Sequence, residues 1–301
     1  PENRERVDRD PVISGIISSI DNSRGPKQMS NLQKTAIAAT VFAALGLGSL
    51  CAEAQTAGGA AAAAGGGIKR ALAAEGGSAA SKQFRGGLGS ALKAAAAKER
   101  TARSSRSTAS RNRTNRPSAP PAGRTAASNR TVPVTNFKPS GGSATFETLA
   151  DSIASNKTER DGLLLIFNTT KTAFEQEAKA MGRENNIPAA LTFFIITNVT
   201  VYNDDAEPSD AAVEKLWDAL SAVFEESPEL AAMTDREKEE IYDTLIAMSG
   251  IPLLGYMQAK ESGDREMLAS YQQIAGMLIQ TVLQVEPGSI RFVGDDIVVG
   301  Q

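Results

Sequence analysis

Between residues 143 and 293 apolar positions recur at helical spacing, and clusters of cap-forming and helix-breaking residues separate the runs. Phe146, Leu149 and Ile153 predict a short amphipathic segment. Leu163, Ile166, Phe167, Phe174 and Met181 form the buried stripe of a helix opening near Thr158, which stands three residues before Asp161 as in a capping box. Lys171, Glu175, Glu177 and Lys179 fall mostly on its outer side, and Gly182 is its expected stop. The most apolar run of this region, 186–202, comes next. Phe193, Phe194, Ile195 and Ile196 point in four successive helical directions, so a helix here is apolar nearly all round and has to be enclosed by its neighbours. Pro188 suits its first turn. The β-branched residues of 195–202 leave a strand as the alternative.

Ser209 is placed to cap a third helix, with Val213, Leu216, Trp217, Leu220 and Phe224 on one face and Pro228 as its end. Thr234 and Glu237 have the spacing of a capping box, opening a helix through Ile241, Leu245 and Met248. The sequence Ser249-Gly250-Ile251-Pro252 predicts a break or kink, after which 253–260 resumes as a short helix ending near Gly263. The last strong helix spans 264–286, with Met267, Tyr271, Ile274, Leu278, Val282 and Val285 on one side and Pro287-Gly288 as its stop. Ile290 to Val293 reads as a short extended piece, and 294–301 as a loose tail. The expected fold is all-α, a single bundle of five to six helices over 143–293.

Upstream the pattern changes. Lys34, an apolar core from Ile37 to Leu50 and the small-x-small site Ala52-Glu53-Ala54 read as a secretory signal peptide over 29–54, opened by Met29. The core is shorter than the roughly 20 residues a spanning helix needs, so no transmembrane span is expected in the mature chain. On this reading 1–28 is an untranslated or spurious extension. Residues 55–142 are rich in Ala, Gly, Ser, Thr and Arg and too poor in apolar side chains to offset the entropy of ordering them. They read as a long disordered basic linker, within which Ser90 to Arg100 has the composition of a transient helix.

Charge sharpens that division. Residues 1–54 are neutral, 55–138 carry +13 and 139–301 carry −16, although the whole chain carries only −3. There is no histidine, which removes Ser-His-Asp and Cys-His catalysis and imidazole-ligated metal sites together. The single cysteine, Cys51, lies in the segment expected to be cleaved. No catalytic residue, metal site or cofactor is therefore assigned, and the protein is not expected to be an enzyme.

Candidate chemistry is thin. Glu225-Glu226, Glu239-Glu240 and Asp295-Asp296 are adjacent pairs; neighbours on a helix diverge by about 100°, so these read as solvated surface. The four carboxylates of 204–210 lack the ligand alternation of a calcium loop and fit a helix-start loop better. Three matches to the glycosylation pattern, at Asn156, Asn168 and Asn198, read as chance. Thr192, Thr197 and Asn198 inside the apolar run have to find partners, either in a structural network with Gln273 and Gln280 or in a ligand site built from the same five residues. Arg103, Arg106, Arg111, Arg113, Arg116, Arg124 and Arg130 make the linker a candidate polyanion-binding segment without stacking aromatics.

Three apolar motifs, Phe193-Phe194-Ile195-Ile196-Thr197-Asn198, Ile251-Pro252-Leu253-Leu254-Gly255-Tyr256 and Gln272-Gln273-Ile274-Ala275-Gly276-Met277, together with the order leader, low-complexity stretch, acidic helical domain, give a further handle. In these the chain resembles an uncharacterised family of secreted bacterial proteins with a helical C-terminal domain of unknown function. The resemblance covers about 158–292, implies export to the periplasm or beyond, and lends no catalytic residue. The expected role is a non-enzymatic interaction or structural module held at the cell envelope, with an anionic polymer or lipid surface as partner of the linker and a protein as partner of the acidic domain. The alternative is a binding protein for a small apolar ligand or lipid inside the bundle, with a carboxylate-dependent hydrolase behind it.

Overall fold

The computed structural model describes residues 78–110, 133–141 and 144–300, and upstream of these Gly67, Ile68, Arg70 and Leu72. All lie within one compact unit. The segments 1–28 and 29–54, and with them the leader reading, lie outside the described residues. Among the described residues eight α-helices and one two-stranded sheet occur, so the fold is all-α in the main.

The central helix is α4 (Ile187–Asn203), labelled in chain order after α1 (Ala79–Ser110), α2 (Thr145–Ile153) and α3 (Lys157–Ala180). Asn186 caps α4 by accepting from the Ala189 N–H, Pro188 occupies its first turn, and Asp204 ends it in a left-handed conformation, φ 55°. Phe194, Ile195 and Val199 are buried along it, and the β-branched half is helical, not a strand. Helices α3, α5 (Asp210–Phe224), α7 (Asp235–Ser262) and α8 (Arg265–Leu278) surround the core that it anchors, with the short α6 (Pro228–Ala232) between α5 and α7. Pro228 thus begins a helix instead of closing one. Asn156 caps α3, two residues earlier than the Thr158 expected from spacing.

Helix α7 is unbroken through Pro252, contrary to the expected kink. A proline here forfeits one backbone hydrogen bond, and both halves are held by packing against α3, α4 and α8. Gly250, read in sequence as part of a breaker, is a contact point: a Cβ there would collide with the Thr170 hydroxyl of α3. The capping box of Thr234 and Glu237 is formed in full. Helix α8 stops at Leu278, and a π-helical turn, Ile279–Leu283, carries the chain to Gln284 in a left-handed conformation, φ 54°. The stop thus precedes Pro287.

Two further corrections change the domain limits. Residues 79–110 are helical, and Phe84, Leu88, Leu92, Ala95 and Ala96 of α1 are buried in the common core. Their spacing of four, four, three and one is one helix face. Helix α1 lies on α5, α6, the π-helical turn and the C-terminal strand, and the Phe84 ring meets Phe224 edge-on at 4.9 Å. Gly89 permits the approach, since a Cβ there would collide with the Leu283 carbonyl. This part of 55–142 is therefore core, because burial supplies what an isolated helix lacks. Likewise 294–300 is not loose: β1 (Ile290–Val293) pairs antiparallel with β2 (Asp296–Val299), burying Ile297 and Val299.

Candidate functional site

A cleft lies beside a strap formed by residues 133–141, which is stitched to the start of α4 and to α7. The Ile187 N–H donates to the Thr135 carbonyl at 3.0 Å, and the Phe137 N–H to the Asn185 carbonyl at 3.1 Å. Asn186 Nδ2 donates to Asn136 Oδ1 at 2.8 Å, while its Oδ1 accepts from Trp217 Nε1 at 3.1 Å. Lys238 Nζ donates to the Val134 carbonyl at 2.7 Å; burial lowers its pKa, against the opposing charges of Asp235 and Glu225. Ser140 donates through both its N–H, at 2.9 Å, and its hydroxyl to Glu239 Oε2.

Between the strap, α2, α3 and α7 lies a cleft of about 580 Å³. Its floor comes from α7, where Glu239, Tyr242 and Asp243 stand at i, i+3 and i+4 and so share a face. Its wall comes from α3 and α2: Asn168, Lys171, Glu175 and Phe146. Asp243, its side chain 3% exposed, pairs with Lys171 Nζ at 2.7 Å, and Lys171 also reaches Glu175 at 3.7 Å while its ammonium lies 5.6 Å from the Phe146 ring centre. Glu147, Lys179 and Glu184 stand exposed at the mouth.

Burial raises the Glu175 pKa; the charges of Asp243 and Glu239 push the same way and Lys171 opposes them. The Tyr242 phenol is held far above its usual range, first by burial, then by the charges of Glu175 and Asp243. The Asn185 backbone N–H offsets the burial only in part. Rings of Phe137 and Phe174 meet Tyr242 at 5.1 and 5.7 Å, which fixes where the hydroxyl points. The arrangement offers charge and hydrogen-bonding capacity on three sides of the cleft.

The residues singled out in sequence fall elsewhere. Thr192, Thr197 and Asn198 are buried in α4, but Gln273 and Gln280 are exposed on the far part of the chain's last helical stretch, so no network joins the five. Asn198 Nδ2 donates to the Phe194 carbonyl at 2.9 Å, the local solution for a helical amide, while Asn198 Oδ1 and the hydroxyls of Thr192 and Thr200 find no partner. Arg103 and Arg106 lie in the last turns of α1; Arg111, Arg113, Arg116, Arg124 and Arg130 lie outside the described residues. Among the described residues no group of three or more acidic side chains is placed to hold a metal ion. Asp204 instead accepts from Lys260 at 2.6 Å and from the Tyr256 hydroxyl.

The acidic pairs do diverge: Glu240 pairs with Arg236 at 3.1 Å, whereas Glu239, read as surface, is 5% exposed. Lys171 and Glu175, placed outside by periodicity, turn inward to Asp243. The available signal was the 239–242–243 spacing, three polar positions on a helix face between apolar ones.

The described residues form a helical bundle with a small C-terminal hairpin and a polar cleft beside a docked strap. The chain belongs to a family of unknown function (DUF6683), whose family model matches residues 36–299. That span includes α1 and β2, in agreement with their burial. No curated protein and no solved structure matches the chain. No helix among the described residues is long and apolar enough to cross a membrane.

Proposed function

We propose that this protein is a non-enzymatic, exported interaction module that holds to an anionic polymer or lipid surface of a bacterial cell envelope through its arginine-rich segment. One observation supports the reading above others: α1 and the strap 133–141 are both packed on the acidic body, so residues 111–132 join two anchored points. From Arg100 to Arg130 the chain carries eight arginines and no carboxylate, next to a body of net −16 over 139–301. A run of like charge of this length attracts polyanions in a salt-dependent way. Export rests on the leader-like pattern of 29–54.

The test replaces Arg111, Arg113, Arg116, Arg124 and Arg130 with glutamine, leaving α1 and the strap untouched. Binding of the parent chain to isolated envelope material should fall steeply as salt rises, and the substituted chain should bind at least tenfold more weakly at low salt. Equal binding by the two chains excludes the segment as the attachment device.

A further inference from the structure

The corner between α3 and α4 brings a thioether against a guanidinium. Met181 closes α3 and is 42% exposed. The other methionines among the described residues are better covered: Met233 and Met248 are buried, and Met257, Met267 and Met277 are half-buried. Oxidation of a thioether needs direct encounter of a sulfur lone pair with the oxidant, so Met181 is the sulfur offered first.

Arg183 supplies the independent pointer. Gly182, in a left-handed conformation at φ 67°, folds the chain back, with the Arg183 N–H donating to the Ala178 carbonyl at 2.7 Å and the Gly182 N–H to that of Lys179 at 3.0 Å. That turn fixes the backbone on both sides of the pair. Arg183 Nη1 then donates to Met181 Sδ at 3.7 Å. The guanidinium is held from two further sides: Nη2 pairs with Glu214 of α5, and the guanidinium carbon lies 3.8 Å from the Trp217 ring centre. Arg183 is 7% exposed, so its donor is locked in place. A thioether is a weak acceptor, and a charged N–H aimed at one is under-used. An oxygen on the same sulfur would turn this contact into a charge-assisted hydrogen bond.

We propose that Met181 is a modification site, oxidised by hydroperoxides to the sulfoxide, and that Arg183 holds the oxygen gained, so that the fold accepts the change. A sulfur lone pair attacks the peroxide oxygen that carries hydrogen, and the S–O bond forms as the O–O bond breaks. Sulfur loses two electrons to the peroxide; the other oxygen leaves as hydroxide or alkoxide and takes the proton from the attacked oxygen, giving water or an alcohol. Nη1 donates to the sulfoxide oxygen while Glu214 and Trp217 keep the guanidinium in position. Sulfoxide formation disrupts packing where the methionine lies in a core; at this corner it adds a bond at the surface. The site is independent of the arginine-rich segment and of the cleft.

Graded hydrogen peroxide treatment of the full chain, with peptide mapping by mass and thermal unfolding followed through Trp217, the single tryptophan, tests the assignment. Met181 should gain one oxygen at least fivefold faster than any other methionine. At the dose that modifies Met181 alone, the thermal midpoint should stay the same or rise. In Arg183→Lys, which lacks the forked donor, the same oxidation should lower the midpoint; a merely exposed methionine would respond alike in both chains. Met181→Gln, which carries an amide oxygen near the sulfoxide position, should melt above Met181→Leu, and this comparison keeps the test decisive if the arginine variant does not fold. Equal oxidation of another methionine, a midpoint lowered by oxidation of Met181 in the parent chain, the same response in Arg183→Lys, or Met181→Gln melting at or below Met181→Leu would each overturn the assignment.

Discussion

Asn186 joins three parts of the fold through one side-chain amide: it caps α4, accepts from Trp217 of α5 and donates to Asn136 of the strap. Asn186→Ala should lower stability by about 2–3 kcal/mol in urea unfolding, the sum of a lost cap and of buried groups left unpaired. Asn186→Asp keeps the cap but loses the donor to Asn136, and should fall between. A cost below about 0.5 kcal/mol would show the strap to be held by other contacts. The capping box at Thr234 and Glu237 was legible in sequence because its partners are three residues apart. Those of Asn186 lie 31 and 50 residues away, where no local pattern reaches them. Glu237 also accepts from the Ser78 N–H at 3.0 Å, and hydrogen bonds from Ser78 and Thr234 hold its pKa down from 4.5 to about 2. A depressed carboxylate contributes stability above its unfolded pKa and loses it as pH falls toward the folded value. Amide protection at the start of α1, relative to the intrinsic exchange rate, should therefore fall between about pH 4.5 and 2, and Glu237→Gln should remove that dependence. Glu175, with its pKa raised, works with the opposite sign: its contribution grows as pH falls through the range just above the ordinary glutamate value.

Among the elements, α1 was the least legible, because three glycines and many small or charged residues hide one apolar face. Those glycines are not equivalent. Gly86 and Gly87 have nothing within 4 Å of a would-be Cβ, whereas Gly89 abuts the Leu283 carbonyl. Gly86→Ala and Gly87→Ala should each stabilise by about 0.5–1 kcal/mol, as expected for alanine in a helix interior. Gly89→Ala should destabilise despite the better propensity, by about 1–3 kcal/mol, since backbone has to move. Leu92→Ala should cost about 2–4 kcal/mol. If all three glycine variants shift the thermal midpoint alike, α1 does not dock at Gly89. The opposite error occurred in α7, where Gly250 and Pro252 look like a break. Local propensity signals an end there, but the neighbours pack against both halves and tertiary contact overrides it. In α4 the pattern alone was sufficient, because a helix apolar on all sides has few places to go.

For the whole molecule, charge suggested a boundary near residue 140, and packing does not respect it. The basic side contributes Phe84, Leu88, Leu92 and Phe137 to the same core as the acidic bundle. Composition reports how a segment meets water; a helix rich in small and polar residues can still place one apolar residue per turn against a partner. The cleft was illegible for a related reason, since its floor at 239–243 lies far along the sequence from the strap and wall at 139–175 and each alone looks like solvated surface. A chain begun at residue 143, the boundary read from sequence, should fail to fold. Without α1 it exposes Phe224 and the groove beneath Leu283, and without 133–141 it leaves Glu239 and Lys238 buried with no partner. Residues 143–301 should show a broad, non-cooperative melt and bind a hydrophobic dye, whereas 67–301 melts in one transition. A single sharp melt of 143–301 at the same midpoint would mean that α1 and the strap lie on a finished domain. Dye binding and a lost transition would mean instead that the basic stretch is a structural half of the acidic fold, so that deleting it cannot serve as a test of what its arginines hold.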